Sequence, residues 1–340
     1  MKLLVTGGLG FIGSNFIRHM LSAHPDCQIT NLDKQTYAGN PENLKEFKKN
    51  SHYTWVKADI LDRKKVDACM SRVEAVVHFA AETHVDRSIL DSGDFIRTNV
   101  LGTQVLLESA KASGVKRFVH VSTDEVYGSK ETGDSREEDV LLPNSPYASS
   151  KAASDLLARS YFVTYGFPVI VTRSSNNFGP YQYPEKAIPL LITNALEDKS
   201  FPLYGDGLQV RDWLYVLDHA KALDTVLERG VPGEIYNIGG TRSCANVDLV
   251  KNILNLMNKS ESLIQRIPDR PGHDRRYALN CDRLRALGWK PRASFEDALR
   301  QTIGWYKQNK PWWSKIKSGR EYRTYYKKQY VREGRLAVRH

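Results

Sequence analysis

Residues 2–13 read KLLVTGGLGFIG, a short apolar run that stops at closely spaced glycines and gives way to the helix-like GSNFIRHMLSAH. Gly7, Gly10 and Gly13 fall at that junction. Glycine permits a sharp turn, close backbone approach to a pyrophosphate and tight packing of helix on strand. The N-terminus of the following helix offers free N–H groups and a partial positive charge to phosphate. The spacing is GxxGxxG where the usual dinucleotide motif is GxGxxG, and by itself such a turn serves any tight corner. Asp33 adds weight, because it ends the next strand, CQITNLD, about 20 residues after Gly13, where an acid binds a ribose 2′-hydroxyl. A carboxylate there repels a 2′-phosphate and favours NAD over NADP, although Lys34 beside it can attract that phosphate.

Working outward, strand-like and helix-like stretches alternate. YTWVKADI, EAVVHFAA, RFVHVSTD and PVIVTRSS are short β-branched or aromatic runs, separated by helical patterns such as DFIRTNVLGTQVLLESAKAS and YASSKAASDLLARSYFVTYG. This order predicts an α/β fold, a Rossmann-like doubly wound parallel sheet with helices on both faces and ligands beyond the strands' carboxyl ends. After Ser175 the texture becomes loop-like in NNFGPYQYPEKAIP. DWLYVLDHAKALDTVLERG and GEIYNIGG read as one more helix and strand returning to the sheet. The expected organisation is a dinucleotide-binding domain over 1–178, rejoined by 213–240, with 179–212 and 241–340 forming a smaller C-terminal substrate-binding lobe.

The 340 residues are 41% hydrophobic and 26% charged, ordinary for a globular protein. The N-terminal run broken by glycines reads as a strand entering a turn and not as a signal peptide, and no apolar stretch is long enough to span a membrane. Cys27, Cys69, Cys244 and Cys281 are scattered, which predicts reduced thiols and a cytoplasmic setting. No His, Cys and carboxylate cluster has metal-ligand spacing, so no metal is expected. His78, inside AVVHFAA, reads as a hydrogen-bonded core histidine. The net charge of +10 is concentrated in KSGREYRTYYKKQYVREGRLAVRH near the C-terminus. No nucleic-acid motif accompanies it, so no nucleic-acid partner is expected.

Two stretches carry chemistry. VSTDEVYG (121–128) sets Asp124 and Glu125 side by side where a buried strand ends, with Thr123 just before them. A polar strand end explains such a pair when it stands alone. SPYASSK places Tyr147 and Lys151 four apart on one helix face. A tyrosine of pKa about 10 is a poor base near neutrality, and a nearby ammonium lowers that value.

These motifs, with NLDKQTYAGN, HFAAETHVDRSI, RSSNNFGPYQYPEKAIPL, YGDGLQVRDWLYV and DRPGHDRRY, resemble the extended short-chain dehydrogenase/reductases and, within them, the dTDP-glucose 4,6-dehydratase family, along nearly the whole chain. The resemblance implies an internal redox dehydration of a nucleotide-linked hexose with NAD as cofactor. Tyr147, supported by Lys151, takes the 4-hydroxyl proton as hydride leaves C4. Glu125 then removes the C5 proton, Asp124 protonates the departing 6-hydroxyl, and Thr123 bonds the sugar near O4. Cofactor contacts are implied for Phe11, Ile12, Asp59, Ile60, Phe79, Ala80, Ala81, Thr83, Thr98 and Asn177. Sugar, diphosphate and base contacts are implied for Thr83, Asn176, Lys186, Ala187, Ile188, Pro189, Leu190, Leu191, Pro202, Tyr204, Arg211, Asn246, Asp269, Arg270 and His273. A homodimer pairing the helices near 95–112 and 147–165 is also implied.

One segment departs from the family pattern. After YNIGG, Ser243 and Cys244 stand where Glu and Lys are usual, while Asn246 remains. This leaves dTDP-glucose, UDP-glucose and other NDP-hexoses open as substrates. A 4-epimerase needs no acid–base pair, a UDP-glucuronate decarboxylase usually has Ser at the position of Asp124, and a non-catalytic dinucleotide-binding protein often lacks part of this set.

Overall fold

The computed structural model describes residues 1–240 and 242–331. Seven strands form a fully parallel sheet in the order β10-β6-β5-β4-β1-β2-β3. They are β1 (Lys2–Thr6), β2 (Gln28–Asp33), β3 (Tyr53–Lys57), β4 (Ala75–His78), β5 (Arg117–Thr123), β6 (Val169–Ser174) and β10 (Ile235–Ile238). Parallel neighbours need long crossovers, and helices supply them. The strands are apolar on both sides because both faces are covered. Leu3, Val5, Val77, Val119 and Ile170 pack beneath the helices Phe11–Ala23 and Val216–Arg229. The alternate positions Leu4, Val76, Phe118, Val169 and Val171 face Arg63–Met70, Thr103–Ala112 and Pro146–Tyr165. The chain leaves the edge at β3 and re-enters as β4 on the other side of β1, which opens a crevice between the β1 and β4 carboxyl ends.

Beyond β6 lie smaller sheets. β7 (Asn176–Phe178), β9 (Val210–Tyr215) and β11 (Arg242–Ala245) join in the order β11-β9-β7, and β8 (Phe201–Tyr204) pairs with β12 (Ile264–Ile267). Their own core includes Phe178, Ile188, Leu191, Trp213, Ile253, Leu299 and Trp313. Among the described residues, no helix is long and apolar enough to cross a membrane.

Two expectations change. Asp212–Tyr215, read as the start of a helix, belongs to β9, which pairs antiparallel with β11 from Val210 to Trp213; the helix begins at Val216. The segment 94–113, read as one helix, contains a π-helical stretch, Ile96–Gly102, before Thr103–Ala112. Such widenings recur at functional sites; here Asn99 turns inward, donating to Glu82 O (3.0 Å) and Ser150 Oγ (2.8 Å). His78 is the expected core histidine, held between Thr6 Oγ1 (2.7 Å) and Thr103 Oγ1 (3.0 Å). The last stretch of the basic tail, 332–340, and Thr241 of the departing segment lie outside the described residues.

Candidate active site

The glycine turn sits at the mouth of the crevice. Gly7 has φ of +72°, and a Cβ there would lie 2.6 Å from Ala80 N. A Cβ on Gly13 would lie 2.5 Å from Gly7 O, so the turn closes only without side chains. Asp33 Oδ2 accepts from Leu9 N (2.9 Å) and Oδ1 from Gln35 N (2.7 Å), which fixes the carboxyl at the end of β2. Lys34 Nζ pairs with Asp59 Oδ2 at 2.7 Å. Its charge is thereby engaged by a carboxylate, which answers the objection that Lys34 would invite a 2′-phosphate.

All the residues expected at the cofactor line this one cleft: Gly7, Gly10, Phe11, Ile12, Gly13, Asp33, Lys34, Asp59, Ile60, Phe79, Ala80, Ala81, Thr83, Thr98, Tyr147, Lys151 and Asn177. At its inner end β5 terminates in Thr123, whose Oγ1 accepts from Glu125 N and donates to Asp124 Oδ1, each at 3.3 Å. This bond caps a single 3₁₀ turn, Asp124–Tyr127, that puts both acids at the strand end. Ser145 caps the next helix by accepting from Ala148 N (3.1 Å), with Pro146 in its first turn, and so aims Tyr147 and Lys151 at the same place.

The two acids differ in their surroundings. Burial pushes the Asp124 carboxyl well above the ordinary range, and the charges of Glu125 and Asp212 push it further. Its Oδ2 is buried without a hydrogen-bond partner. Burial also raises Glu125, but Arg270, Arg211 and Lys186 all act on it in favour of the ionised form. A neutral acid beside an ionised base is therefore the arrangement the field supports. For Tyr147 the expectation of a lowered pKa is corrected. Burial and Glu125 push the phenol up, and only the Thr123 hydroxyl pulls it down. Lys151 Nζ instead donates to Val121 O at 2.8 Å, and burial lowers its pKa to about 8.

A second cleft opens from the first and shares Thr83, Glu125, Asn176, Glu185 and Lys186 with it. Lys186, Ala187, Ile188, Leu190, Leu191, Pro202, Tyr204, Arg211, Asn246, Arg270 and His273 line it as expected. Pro189 and Asp269 do not. The segment 187–196 is helical rather than a loop, so Pro189 turns away from its neighbours, and Asp269 is engaged by His273 Nδ1 (2.6 Å) and Gln209 Nε2 (2.8 Å). Arg211 is held by Val210 O and Asp274 O over the Tyr277 ring, and Arg270 by Asp86 Oδ1 (2.8 Å).

Sequence reasoning missed Glu185 and Tyr330. Glu185 is buried and bonded to Arg87 (2.9 Å); a lone acid amid Pro and Tyr in YPEK was its one signal. Tyr330 reaches the second cleft from the far C-terminus, and nothing in the local pattern announces it.

A Rossmann-like sheet carrying this Tyr–Lys pair defines the class as that of the short-chain dehydrogenase/reductases. The chain belongs to the GDP-mannose 4,6 dehydratase family, whose sequence model matches residues 4–302. It is 51% identical to a dTDP-glucose 4,6-dehydratase of Streptomyces antibioticus, covering 93% of this chain and 96% of that protein. A solved structure of DesIV, a dTDP-glucose 4,6-dehydratase from Streptomyces venezuelae with NAD and TYD bound, superimposes with a TM-score of 0.91 at 48% identity, covering 93% and 100% of the two chains. More distant is a UDP-glucuronic acid 4-epimerase from Bacillus cereus, with a TM-score of 0.86 at 29% identity over 91% of this chain and 99% of that one.

Proposed function

We propose that this protein is a hydro-lyase converting dTDP-glucose to dTDP-4-keto-6-deoxyglucose, with NAD held at the glycine turn. The observation that carries the reading is the pairing of Asp124 and Glu125 beside Tyr147, one acid that burial and neighbouring carboxyls push toward its neutral form and a neighbour sharing its cleft with Lys186, Arg211 and Arg270. The glycine turn fits a pyrophosphate because a Cβ on Gly7 or Gly13 would fill the space its backbone needs. Gly7, Gly10 and Gly13 would hold the pyrophosphate, Asp33 the adenosine ribose, and Tyr147 and Lys151 the nicotinamide end. Bound there, NAD supplies the hydride acceptor for C4 and the donor for C6.

The remaining chemistry belongs to side chains. Tyr147, whose phenolate form the positive nicotinamide of bound NAD⁺ would favour against the burial that raises it, receives the 4-hydroxyl proton while Thr123 orients O4. The ketone at C4 acidifies C5–H, Glu125 takes that proton, and Asp124 gives its own to the departing 6-hydroxyl, which leaves as water; when C6 gains its hydride, C5 takes a proton from Glu125, exchanged with solvent in between. Arg211 and the helix N-terminus at Lys186–Ala187, whose first amides lack helical partners, suit the diphosphate. The parallel-sheet part of the chain, rejoined by the helix Val216–Arg229 and β10, holds NAD, and the part built on the smaller sheets holds the nucleotide. Four unpaired cysteines agree with a cytoplasmic setting. Ile96, Leu101, Leu156 and Val163 are exposed on adjoining helices, which supports a homodimer through that face.

Incubation with dTDP-glucose in D₂O tests the reading. A 4-keto-6-deoxy product carrying deuterium at C5 is expected; untouched sugar or simple inversion at C4 would reject it. The departure at Ser243 and Cys244 keeps a second substrate in view, because Cys244 pairs across β9 with Arg211. Parallel assays of dTDP-, UDP- and CDP-glucose, with dTDP-glucose expected to give the highest kcat/KM, decide the base.

A further inference from the structure

On the opposite end of the first helix from the glycine turn, three potential metal ligands converge beside His19, and none of these residues lines either cleft. His19 lies in the last turns of Phe11–Ala23 and His24 caps its end. Asp224 and Glu228 sit four apart on one face of Val216–Arg229, which packs against that helix. His19 Nε2 approaches Asp224 Oδ2 at 2.8 Å, and His24 Nε2 lies 2.9 and 3.0 Å from the two oxygens of the same carboxylate. Ligand atoms of His24, Asp224 and Glu228 all fall within 4.8 Å of one another.

We propose that His24, Asp224 and Glu228 form a binding site for a divalent transition metal ion, zinc or nickel in kind, that staples these two helices together, with His19 bonded to Asp224 behind them. Nitrogen and carboxylate donors bind such ions at about 2.0–2.2 Å. Two donors of one tetrahedral ion then stand about 3.4 Å apart, so an ion would enter with about half an ångström of side-chain movement from the 2.9 and 3.0 Å hydrogen-bonded separations of His24 and Asp224. Imidazole with carboxylate suits zinc, nickel and cobalt, whereas magnesium and calcium prefer oxygen alone. The local field favours a cation, because two carboxylates meet there beside the C-terminal ends of both helices. Partial exposure of His24 and Asp224, and the exposed position of Glu228, leave a path for an ion from solvent. The rival account is a plain hydrogen-bonded tie in which protonated imidazoles share Asp224.

The two accounts separate by titration. Metal-stripped full-length protein is titrated with Zn²⁺ and Ni²⁺ by calorimetry, beside His24→Ala, Asp224→Asn and Glu228→Gln, and melting temperature is read with and without metal. Asp224→Asn keeps an oxygen for the imidazoles but loses the charge an ion needs, and Glu228→Gln changes an exposed side chain that does not threaten folding. One equivalent per chain, affinity at least about tenfold weaker in His24→Ala and Asp224→Asn and measurably weaker in Glu228→Gln, and a metal-dependent rise in Tm would support the site. Absence of stoichiometric binding, or equal binding by the parent and all three variants, would overturn it.

Discussion

Asp124 and Glu125 are neighbours in the chain but keep different electrostatic company, and that difference is where function is most exposed to test. Asp124→Asn and Glu125→Gln each remove one proton-transfer group, so kcat should fall by ~10²–10⁴-fold while NAD remains bound, as read by fluorescence of the isolated variants. The pH profile has a sign that follows from the surroundings. Glu125 must be ionised, so turnover falls as pH drops through its raised pKa; Asp124 must be protonated, so turnover also falls as pH climbs through its pKa. Arg270 favours ionised Glu125, and its removal raises the Glu125 pKa. In Arg270→Gln the acid limb of kcat against pH should therefore move to higher pH, and an unmoved limb would contradict this account of the base. The identities of these residues were legible in the sequence. Their opposed roles were implied by the family resemblance; the cations that favour ionised Glu125, Arg270, Arg211 and Lys186, were not legible, because each is distant along the chain.

At the scale of elements, the Tyr147 helix is fixed from both sides. Its Ser145 cap starts it, and Asp155 on its buried face makes a two-point ion pair with Arg173 of β6, at 2.8 and 3.0 Å. Both side chains are almost fully buried, so Asp155→Ala leaves a guanidinium without its counter-charge. A loss of about 3–5 kcal/mol is expected in denaturant unfolding. The opposite face of the same helix exposes Leu156 and Val163, one heptad apart, beside Leu101 of the neighbouring helix. If the proposed homodimer forms through this face, Leu156→Glu with Val163→Glu should give monomer in light scattering without unfolding the chain, and a dimer persisting in the double variant would reject that face. The alternation of elements was plain from residue patterning. The π-helical stretch and the true start of β9 were not, since hydrogen-bond partners elsewhere in the fold decide between locally similar conformations.

At the scale of the whole molecule, the site is a meeting of strand ends with a lobe built from later sequence. The first cleft collects residues from β1 to β6 in chain order, as a parallel sheet must, because every strand delivers its carboxyl end to one edge. The second cleft draws on Thr83, Arg211, Arg270 and Tyr330, from four well-separated segments. Metal-ligand spacing was likewise absent from the sequence around His24, yet the packing of two helices brings it against Asp224 and Glu228.

The sequence by itself determined the parallel α/β architecture, the glycine turn and the Tyr–Lys and Asp–Glu pairs, because these depend on periodicity and on neighbours within one or two turns. Only the tertiary structure decided which cations act on Glu125, that Lys34 is engaged by Asp59, that Pro189 and Asp269 turn from the cleft, and that His19 and His24 face Asp224. Each of these rests on burial and charge contributed by residues far away in the chain, and a linear pattern carries no record of such distances.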